Sequence, residues 1–435
     1  MRYFIENFGC QMNEHDMAKA EHLLVSSGFE PACEIDEASI VLVNTCCVRE
    51  KAEQKFYSLM GRLQRAKKKR GFILGVTGCV AQAEKEGLLD RLPFVDFSLG
   101  PSAIHRVSEA VLAALDKRTF LDFSDNGCHS SLYVRPGASD GLVRAFVTVM
   151  KGCDNFCSYC IVPYVRGREV SRSSGDVREE VEELAASGVR EVILLGQNVN
   201  SYNRGARDLS FPELLRSLNG VRELERIRFV TSHPKDLSCE LIDCFGTLSK
   251  LCEQIHLPFQ SGSDRILGLM NRGYTKEEYL RKVGMLKERC PDVALSGDCI
   301  VGFPGETDED FRETMDLVER VAFDGVFSFC YSARKYTRAS ELPDRVERQT
   351  ARARLQELQA TQKAITLRTF RGMEGSRTEV LVEGASKNSK DDVTGRTRTN
   401  RIVNFKGTPD MIGKLVEVEI VKGCANSLRG LSKKE

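Results

Sequence analysis

Short apolar runs alternate with helical stretches along two separate parts of this chain, and that alternation leaves few folds open. Residues 3–8, 40–45, 72–77 and 94–99 read as strands, and 18–27, 51–65 and 103–115 as helices. Such alternation demands a parallel sheet covered on both faces. It restarts near Val143, with strands expected at 144–150, 192–195, 226–231, 254–257, 293–301 and 326–331 and helices at 177–186, 211–218, 241–245, 276–289 and 308–320. Six β/α units predict a partial (β/α)6 barrel, short of the eight of a closed one. The charged stretch 345–371 reads as a helix leading out of that barrel. Beyond it, 378–383, 401–405 and 415–421 are short β-type runs between Gly and Asn turns, which suits a small antiparallel β-barrel of OB type. The expected class is α/β in three domains, 1–125, 139–365 and 368–435.

Charge excludes a chain-wide nucleic-acid field, because 63 Lys+Arg face 62 Asp+Glu. A basic surface has to be local, and 368–435 carries 14 Lys/Arg against 9 Asp/Glu, about +5. The chain has 16 cysteines. Its first residues lack the basic and apolar regions of a secretory signal, and no apolar run approaches the ~18–20 residues that span a bilayer. The expectation is a cytoplasmic protein with no membrane partner, in a reducing compartment where clustered thiols serve metal or redox chemistry.

Two cysteine sets stand out. Cys153, Cys157 and Cys160 form a CxxxCxxC loop after the first strand of the second unit. Three thiolates on one tight loop hold three irons of a [4Fe–4S] cube and leave the fourth open. S-adenosylmethionine can chelate that iron through its amino and carboxylate groups, and an electron from the cluster then cleaves the sulfonium to a 5′-deoxyadenosyl radical. A zinc loop usually wants four ligands in two CxxC-like pairs. Cys10, Cys46 and Cys79 are far apart in sequence, yet each directly follows an expected strand. Parallel strands share one C-terminal edge, where open α/β folds bind ligands, so the three converge. Gly9 and Gly78 permit the tight turns. The reading is a second [4Fe–4S] cluster with one open iron. Cys47, next to Cys46, points elsewhere if strand geometry continues, leaving it a spare or backup ligand. Cys33, Cys128, Cys239, Cys244, Cys252, Cys290, Cys299, Cys330 and Cys424 read as packing residues.

CxxxCxxC in this position resembles the radical S-adenosylmethionine superfamily. Within it the whole chain resembles the methylthiotransferases. The resemblance rests on Phe8-Gly9-Cys10-Gln11-Met12-Asn13, on Tyr159 to Arg172, on His256-Leu257-Pro258-Phe259-Gln260-Ser261-Gly262-Ser263, on Ile300 to Thr307 and on Gly395 to Phe405. Gln-Met-Asn after Cys10 and Glu169-Val170-Ser171-Arg172 point to the branch acting on isopentenylated adenosine beside the tRNA anticodon. The branch for threonylcarbamoyl-adenosine tends to carry Lys-Val-Asn, and that for a ribosomal-protein aspartate Pro-Lys-Asn. Both stay open as alternative targets. A non-catalytic iron–sulfur module for RNA binding or electron transfer is the third reading, but such a carrier would normally complete each cube with a fourth cysteine.

The resemblance implies two clusters and two S-adenosylmethionine molecules per product, one giving a methyl group to sulfur on the N-terminal cluster and the other yielding the radical. The base must then lie between both open irons, so the two cysteine edges should face each other. It further implies a TRAM-like C-terminal domain, a tRNA anticodon loop as partner, an electron donor such as flavodoxin or ferredoxin, and a sulfur donor. Resemblance and position assign Tyr159, Gln197, Gln260, Ser261 and Asp298 to the cofactor. Arg166 and Arg168 suit a carboxylate or phosphate clamp. Arg396, Arg398, Asn400, Arg401 and Phe405 suit stacking and phosphate contacts to a single-stranded loop. The basic run 62–70 reads as a solvated helix end, and His233 and His256 as turn or core histidines.

Overall fold

The computed structural model of the chain describes residues 1–47, 50–124, 141–205, 207–387, 389 and 391–432. The first unit runs β1 (Arg2–Phe8), α1 (Gln11–Ser26), β2 (Glu30–Pro31), β3 (Ile40–Thr45), α2 (Glu50–Arg70), β4 (Ile73–Gly78), α3 (Cys79–Glu84), α4 (Gly87–Arg91), β5 (Phe97–Leu99), α5 (Val107–Leu115) and β6 (Phe120–Asp122). The sheet order is β2-β1-β3-β4-β5-β6, parallel throughout. Successive residues of a strand face opposite sides. Val41, Val43, Leu74 and Val76 therefore meet Phe56, Leu59, Met60 and Leu63 of α2, while Ile40 and Leu42 meet Ala20 and Leu24 of α1 and Val107 and Val111 of α5. Helix α1 starts at Gln11, well before the expected 18, because its first turns bury Met12, Asn13, His15 and Asp16 against the rest of the protein.

The second unit runs β7 (Arg144–Thr148), β8 (Met150–Lys151), α6 (Val162–Arg166), β9 (Val170–Ser171), α7 (Ser174–Ala186), β10 (Glu191–Leu195), α8 (Phe211–Asn219), β11 (Arg226–Phe229), α9 (Cys239–Thr247), β12 (Gln254–His256), α10 (Asp264–Leu269), α11 (Lys276–Arg289), β13 (Ala294–Val301), α12 (Asp308–Val321) and β14 (Gly325–Cys330). Parallel sheets β11-β10-β7 and β12-β13-β14 are joined by a parallel bridge from Ile227 to Leu251. This is the expected six-stranded partial barrel. Its outward residues, among them Val147, Leu194, Phe229, Leu257 and Leu295, form one core with the helices, and Cys244, Cys290 and Cys299 belong to it. Cys33 and Cys239 are exposed, which corrects their reading as packing residues, and Cys128 lies outside the described residues. Capping boxes at Ser210/Glu213, Thr275/Glu278 and Thr307/Asp310 start α8, α11 and α12, each worth about 1 kcal/mol.

Helix α13 (Arg348–Gly372) leads to β15 (Arg377–Ala385), β16 (Asp392–Thr397), β17 (Ile402–Lys406), β18 (Leu415–Gly423) and β19 (Leu428–Ser432). These close a barrel in the order β15-β16-β17-β19-β18, antiparallel except for the parallel pair β17–β19. No helix among the described residues is long and apolar enough to cross a membrane.

The small barrel plugs the strand N-termini of the large one. Arg228 donates to Glu191 (2.9 Å) and to the carbonyls of Arg398 (2.6 Å) and Thr397 (2.7 Å). Arg226 donates to the carbonyl of Arg396 (2.7 Å) and to Glu379 (2.9 Å). In return Arg398 grips Glu253 (2.7 Å) and the carbonyl of Leu251 (2.8 Å), and Arg401 grips Asp324 (2.6 Å). Arg396 lies against Glu383 (3.1 Å) and also donates to Asn400, which closes a left-handed turn at φ 64°. Phe405 is buried in the small barrel's core. Of the five residues expected to meet RNA, the four polar ones bind protein groups in this structure and Phe405 packs inside the barrel. Removing one partner of a buried pair strands the other charge, at about 3–5 kcal/mol. Arg228→Ala, which strands the fully buried Glu191, should therefore lower the urea midpoint markedly and let limited proteolysis release the C-terminal barrel.

Candidate active site between two cysteine edges

Register builds the N-terminal edge. Phe8 lies opposite Thr45, and Thr45 opposite Gly78, so Cys46 and Cys79 leave their strands side by side, and the Cys46 amide donates to the Phe8 carbonyl (3.1 Å). Gly78 has φ +96°, and a Cβ there would sit 2.1 Å from Asn44 Oδ1. Asn44 in turn donates to Asn7 Oδ1 (3.1 Å) and the Asn13 carbonyl (3.1 Å), tying the strand ends to α1. The Cys46 thiol reaches both Cys10 and Cys79. Hydrogen bonding from Cys46, aided by the Arg166 charge, holds the Cys10 thiol down at about 6 and that of Cys79 well below the usual range. The same hydrogen bonds push the Cys46 thiol up, and three thiols meeting at neighbouring strand ends are a donor set that fits an iron–sulfur cluster, which binds them as thiolates. No three His, Cys, Asp or Glu side chains among the described residues close on a single point as a mononuclear site requires.

Arg166, expected to clamp a carboxylate or a phosphate, is buried. It sits on α6, just beyond the CxxxCxxC loop, and reaches into the N-terminal domain to Asp16 (2.8 Å), Asn13 (3.1 Å) and the Cys79 thiol. Arg168, by contrast, is exposed, paired with Asp154 (2.7 Å) and placed 5.3 Å over the Phe156 ring.

The second edge is the loop itself. Gly152 takes φ +78°, and a Cβ would collide with the Arg168 carbonyl at 1.9 Å. Its amide donates to Gln197 Oε1, so Gln197 shapes the loop. Ser158 docks on the carbonyls of Met270 (2.9 Å) and Leu269 (2.8 Å). Buried Arg272 donates to the Cys157 thiol (3.4 Å), the Tyr159 hydroxyl (3.4 Å) and the Pro258 carbonyl (2.7 Å). His233 Nε2 stands 4.0 Å from the same thiol, and burial together with the Arg272 charge keeps its ring neutral. Burial pushes Cys153 up to about 11 and Cys160 to about 12, so metal binding here releases protons.

The strand ends around this loop carry polar atoms without protein partners. Gln260 Oε1 and Ser232 Oγ are buried and unbonded, and Gln260 and Thr231 hold left-handed backbones at φ 64° and 67°. Strained strand ends with orphaned oxygens suit a polar cofactor. Asp298 accepts from His256 Nε2 (3.2 Å). Ser261 does not join them: it turns away to Thr314 (3.3 Å) and the Ser263 amide (3.2 Å), which corrects its assignment to the cofactor.

The two edges meet at one mouth. Met12 of α1 packs on the inward residues Phe146, Ile193, Leu195 and Val230, and His15 bonds Thr148 (2.7 Å). Ile161 and Val165 enter the N-terminal core. Arg334 pairs with Glu53 (3.1 Å), and Tyr336 reaches the Ala83 carbonyl (3.3 Å). Half of the barrel interior is thus capped, while the β12–β14 half stays open, with Phe327 56% and Phe329 41% exposed beside His256. At the rim Phe156, Tyr164 and Tyr336 form an exposed ladder of rings 6.3 Å apart, flanked by Arg168 and Lys335. Sequence reasoning missed Ser232, Arg272, Arg334 and this ladder. Phe327 and Phe329, two residues apart on a strand with the second face occupied, were the readable signal. The basic run at the end of α2 is paired with Asp96 and Asp36, as a helix end would be.

A six-stranded parallel half-barrel with a three-cysteine loop at its mouth is the architecture of the radical S-adenosylmethionine proteins. The Radical SAM superfamily profile matches residues 147–318, that of "Uncharacterized protein family UPF0004" residues 2–100, and the TRAM domain profile residues 371–431. A radical S-adenosylmethionine methyltransferase, TsrM, from Kitasatospora setae shares the fold with a TM-score of 0.58 at 15% identity, over 78% of this chain and 75% of that one. The tRNA-2-methylthio-N(6)-dimethylallyladenosine synthase of Geobacter metallireducens is 50% identical over 98% of this chain and 97% of its own length. The synthase of Syntrophus aciditrophicus is 49% identical over 98% and 93%. The chain belongs to the family of the tRNA-2-methylthio-N(6)-dimethylallyladenosine synthases.

Arg166→Leu removes the charged link between α6 and the Cys79 thiol while Val165 keeps its apolar packing. It is expected to lower iron and acid-labile sulfide toward half while S-adenosylmethionine cleavage by the CxxxCxxC site persists.

Proposed function

We propose that the chain is a tRNA methylthiotransferase that converts isopentenylated adenosine next to the anticodon into its 2-methylthio derivative. The observation that carries this reading is half identity over nearly the whole length to synthases of that name, in a fold whose two cysteine edges share one mouth. Cys153, Cys157 and Cys160 would hold one [4Fe–4S] cluster with S-adenosylmethionine beside Gln260 and Asp298, and Cys10, Cys46 and Cys79 the other. When bound, these groups supply a 5′-deoxyadenosyl radical, a sulfur atom and a methyl group, which together replace an unreactive C–H on the adenine ring.

The chain's own residues do the rest. Arg272 fixes the loop thiol of Cys157 and the Tyr159 hydroxyl in one frame. Arg166 sets a positive charge beside the Cys10 and Cys79 thiols. His256 Nε2 holds its proton against Asp298 Oδ1, leaving the second carboxylate oxygen for a ligand. Met12 and its neighbours keep water out of the capped half of the barrel, which protects a radical from solvent. Phe327 and Phe329 offer the open half an apolar wall suited to a purine with a five-carbon substituent. The ring ladder with Arg168 and Lys335 supports a single-stranded RNA segment through stacking and charge. A flavodoxin or ferredoxin as electron donor, a sulfur donor, a cytoplasmic site of action and the three-domain division 1–125, 139–365 and 368–435 complete the reading.

Nucleoside analysis of bulk tRNA from cells lacking the protein should show isopentenylated adenosine without its methylthio group. Loss of that group from threonylcarbamoyl-adenosine instead, or no change, overturns the assignment. In the reduced, anaerobic protein, Cys157→Ala should abolish 5′-deoxyadenosine formation, whereas Cys79→Ala should spare it and stop sulfur insertion. Phe327→Ala should raise KM for prenylated RNA about tenfold or more with little change for an unprenylated control.

A further inference from the structure

Helix α13 carries six Arg or Lys and a single Glu. One of the six is spent on the fold: Arg354 is buried against Glu306 (2.7 Å) and Asp308 (2.6 Å). Arg348, Arg352, Lys363, Arg368 and Arg371 are exposed, and among the described residues none of these five side chains has an ion pair or a hydrogen bond. Neighbouring helices of the large barrel do otherwise, with Arg178 on Glu182 in α7 and Arg312 on Glu309 in α12. A row of unmatched cations keeps its field for a partner that comes from outside.

The row has a direction. Arg348, Arg352, Gln359 and Lys363 follow one another at intervals of four, seven and four residues, which puts them on one stripe of the helix. Gln359 donates to Ser328 Oγ (3.3 Å), and the Cys330 thiol donates to the Ala351 carbonyl (3.6 Å), so the stripe runs beside β14. Within its sheet that strand bonds to β13 alone and forms the free edge of the half-barrel, where Phe327 and Phe329 are exposed. The helix starts at the head of the barrel, where Arg354 meets Glu306 beyond the end of β13. It finishes at the foot, where Gln362 and Thr366 donate to the carbonyls of Phe323 (2.7 Å) and Asp324 (2.9 Å) just ahead of β14, and Phe370 enters the small barrel's core. From Arg348 to Lys363 the stripe covers about 22 Å of helix.

We propose that this stripe is a rail for the sugar–phosphate backbone of the substrate RNA, laid along the open edge of the half-barrel between the mouth and the C-terminal barrel. The proposal rests on the tRNA reading above and deepens it, because it assigns RNA contact to a surface outside both the mouth and the C-terminal barrel. Spaced cations with no carboxylate among them match a polyanion, whose affinity comes from phosphate neutralisation. An acidic reductant needs only the mouth, where its electron is delivered. A row that continues to the foot of the barrel fits a nucleic acid.

The test uses the full chain with both clusters. Wild type is compared with a variant combining Arg348→Gln, Arg352→Gln and Lys363→Gln. A control combines Arg216→Gln, Arg222→Gln and Arg281→Gln, which removes the same charge from exposed positions on and near α8 and α11. Thermal unfolding confirms that both variants are folded. Binding of isopentenylated tRNA is measured over a range of salt concentrations. The stripe variant should bind about tenfold or more weakly at low salt, and its slope of log affinity against log salt should fall by about two to three, as three lost phosphate contacts require. The control should match wild type. Equal affinity and slope for all three proteins, or equal losses in both variants, overturns the rail. So does wild-type tRNA affinity in a stripe variant whose clusters are reduced slowly by reduced flavodoxin, which assigns the stripe to an acidic protein instead. A wild-type chain with no measurable affinity for this tRNA would sink the tRNA reading itself, and the rail with it.

Discussion

A buried guanidinium holds the arrangement together. Arg166 belongs by sequence to the barrel's cysteine loop and by contact to the N-terminal domain, where Asp16, Asn13 and the Cys79 thiol receive it. A charge taken out of water is tolerated only when paired and hydrogen-bonded. Its pairing therefore ties the barrel's cysteine loop to the N-terminal domain and sets positive charge beside the Cys10 and Cys79 thiols. Met12, His15 and Arg334 complete the same interface. Asp16 is needed for the same reason, and it explains why α1 begins as early as Gln11: its first turns carry the groups that face the barrel.

Much of this was legible in the sequence because it depends on periodicity and on strand ends. The run 40–45 is apolar at every position but the last two, as a strand covered on both sides must be, and its end fixes Cys46. The six barrel strands and the convergence of three distant cysteines followed from the same logic. What failed was reasoning about where charged side chains go. Arg166, Arg398 and Arg401 pair with Asp16, Glu253 and Asp324 of another domain, and Arg396 with Glu383 of its own barrel. No local pattern announces a partner in another domain. Ser261 failed differently: its neighbour Gln260 holds a left-handed backbone, which rotates Ser261 toward α12.

The short strands β16 and β19 escaped notice because their residues alternate between a tightly filled interior and solvent while carrying glycine at the crowded positions. A Cβ on Gly395 would lie 2.2 Å from the Leu381 carbonyl, and one on Gly430 2.2 Å from Val418. Closing so small a barrel leaves no room for a side chain there, and the missing side chains erase the apolar signal. The N-terminal sheet makes the same concession at Gly75, where a Cβ would lie 2.0 Å from the Phe97 ring.

The plug at the strand N-termini sets a distance. Any nucleic acid gripped by the C-terminal barrel begins at the foot of the large one, while the cysteine edges stand at its head, separated by the length of a strand such as β13, about 25 Å for its eight residues. Because Arg226, Arg228, Arg398 and Arg401 bolt that foot in place, the separation is constant. The foot and the head of the large barrel are thus held a fixed span apart.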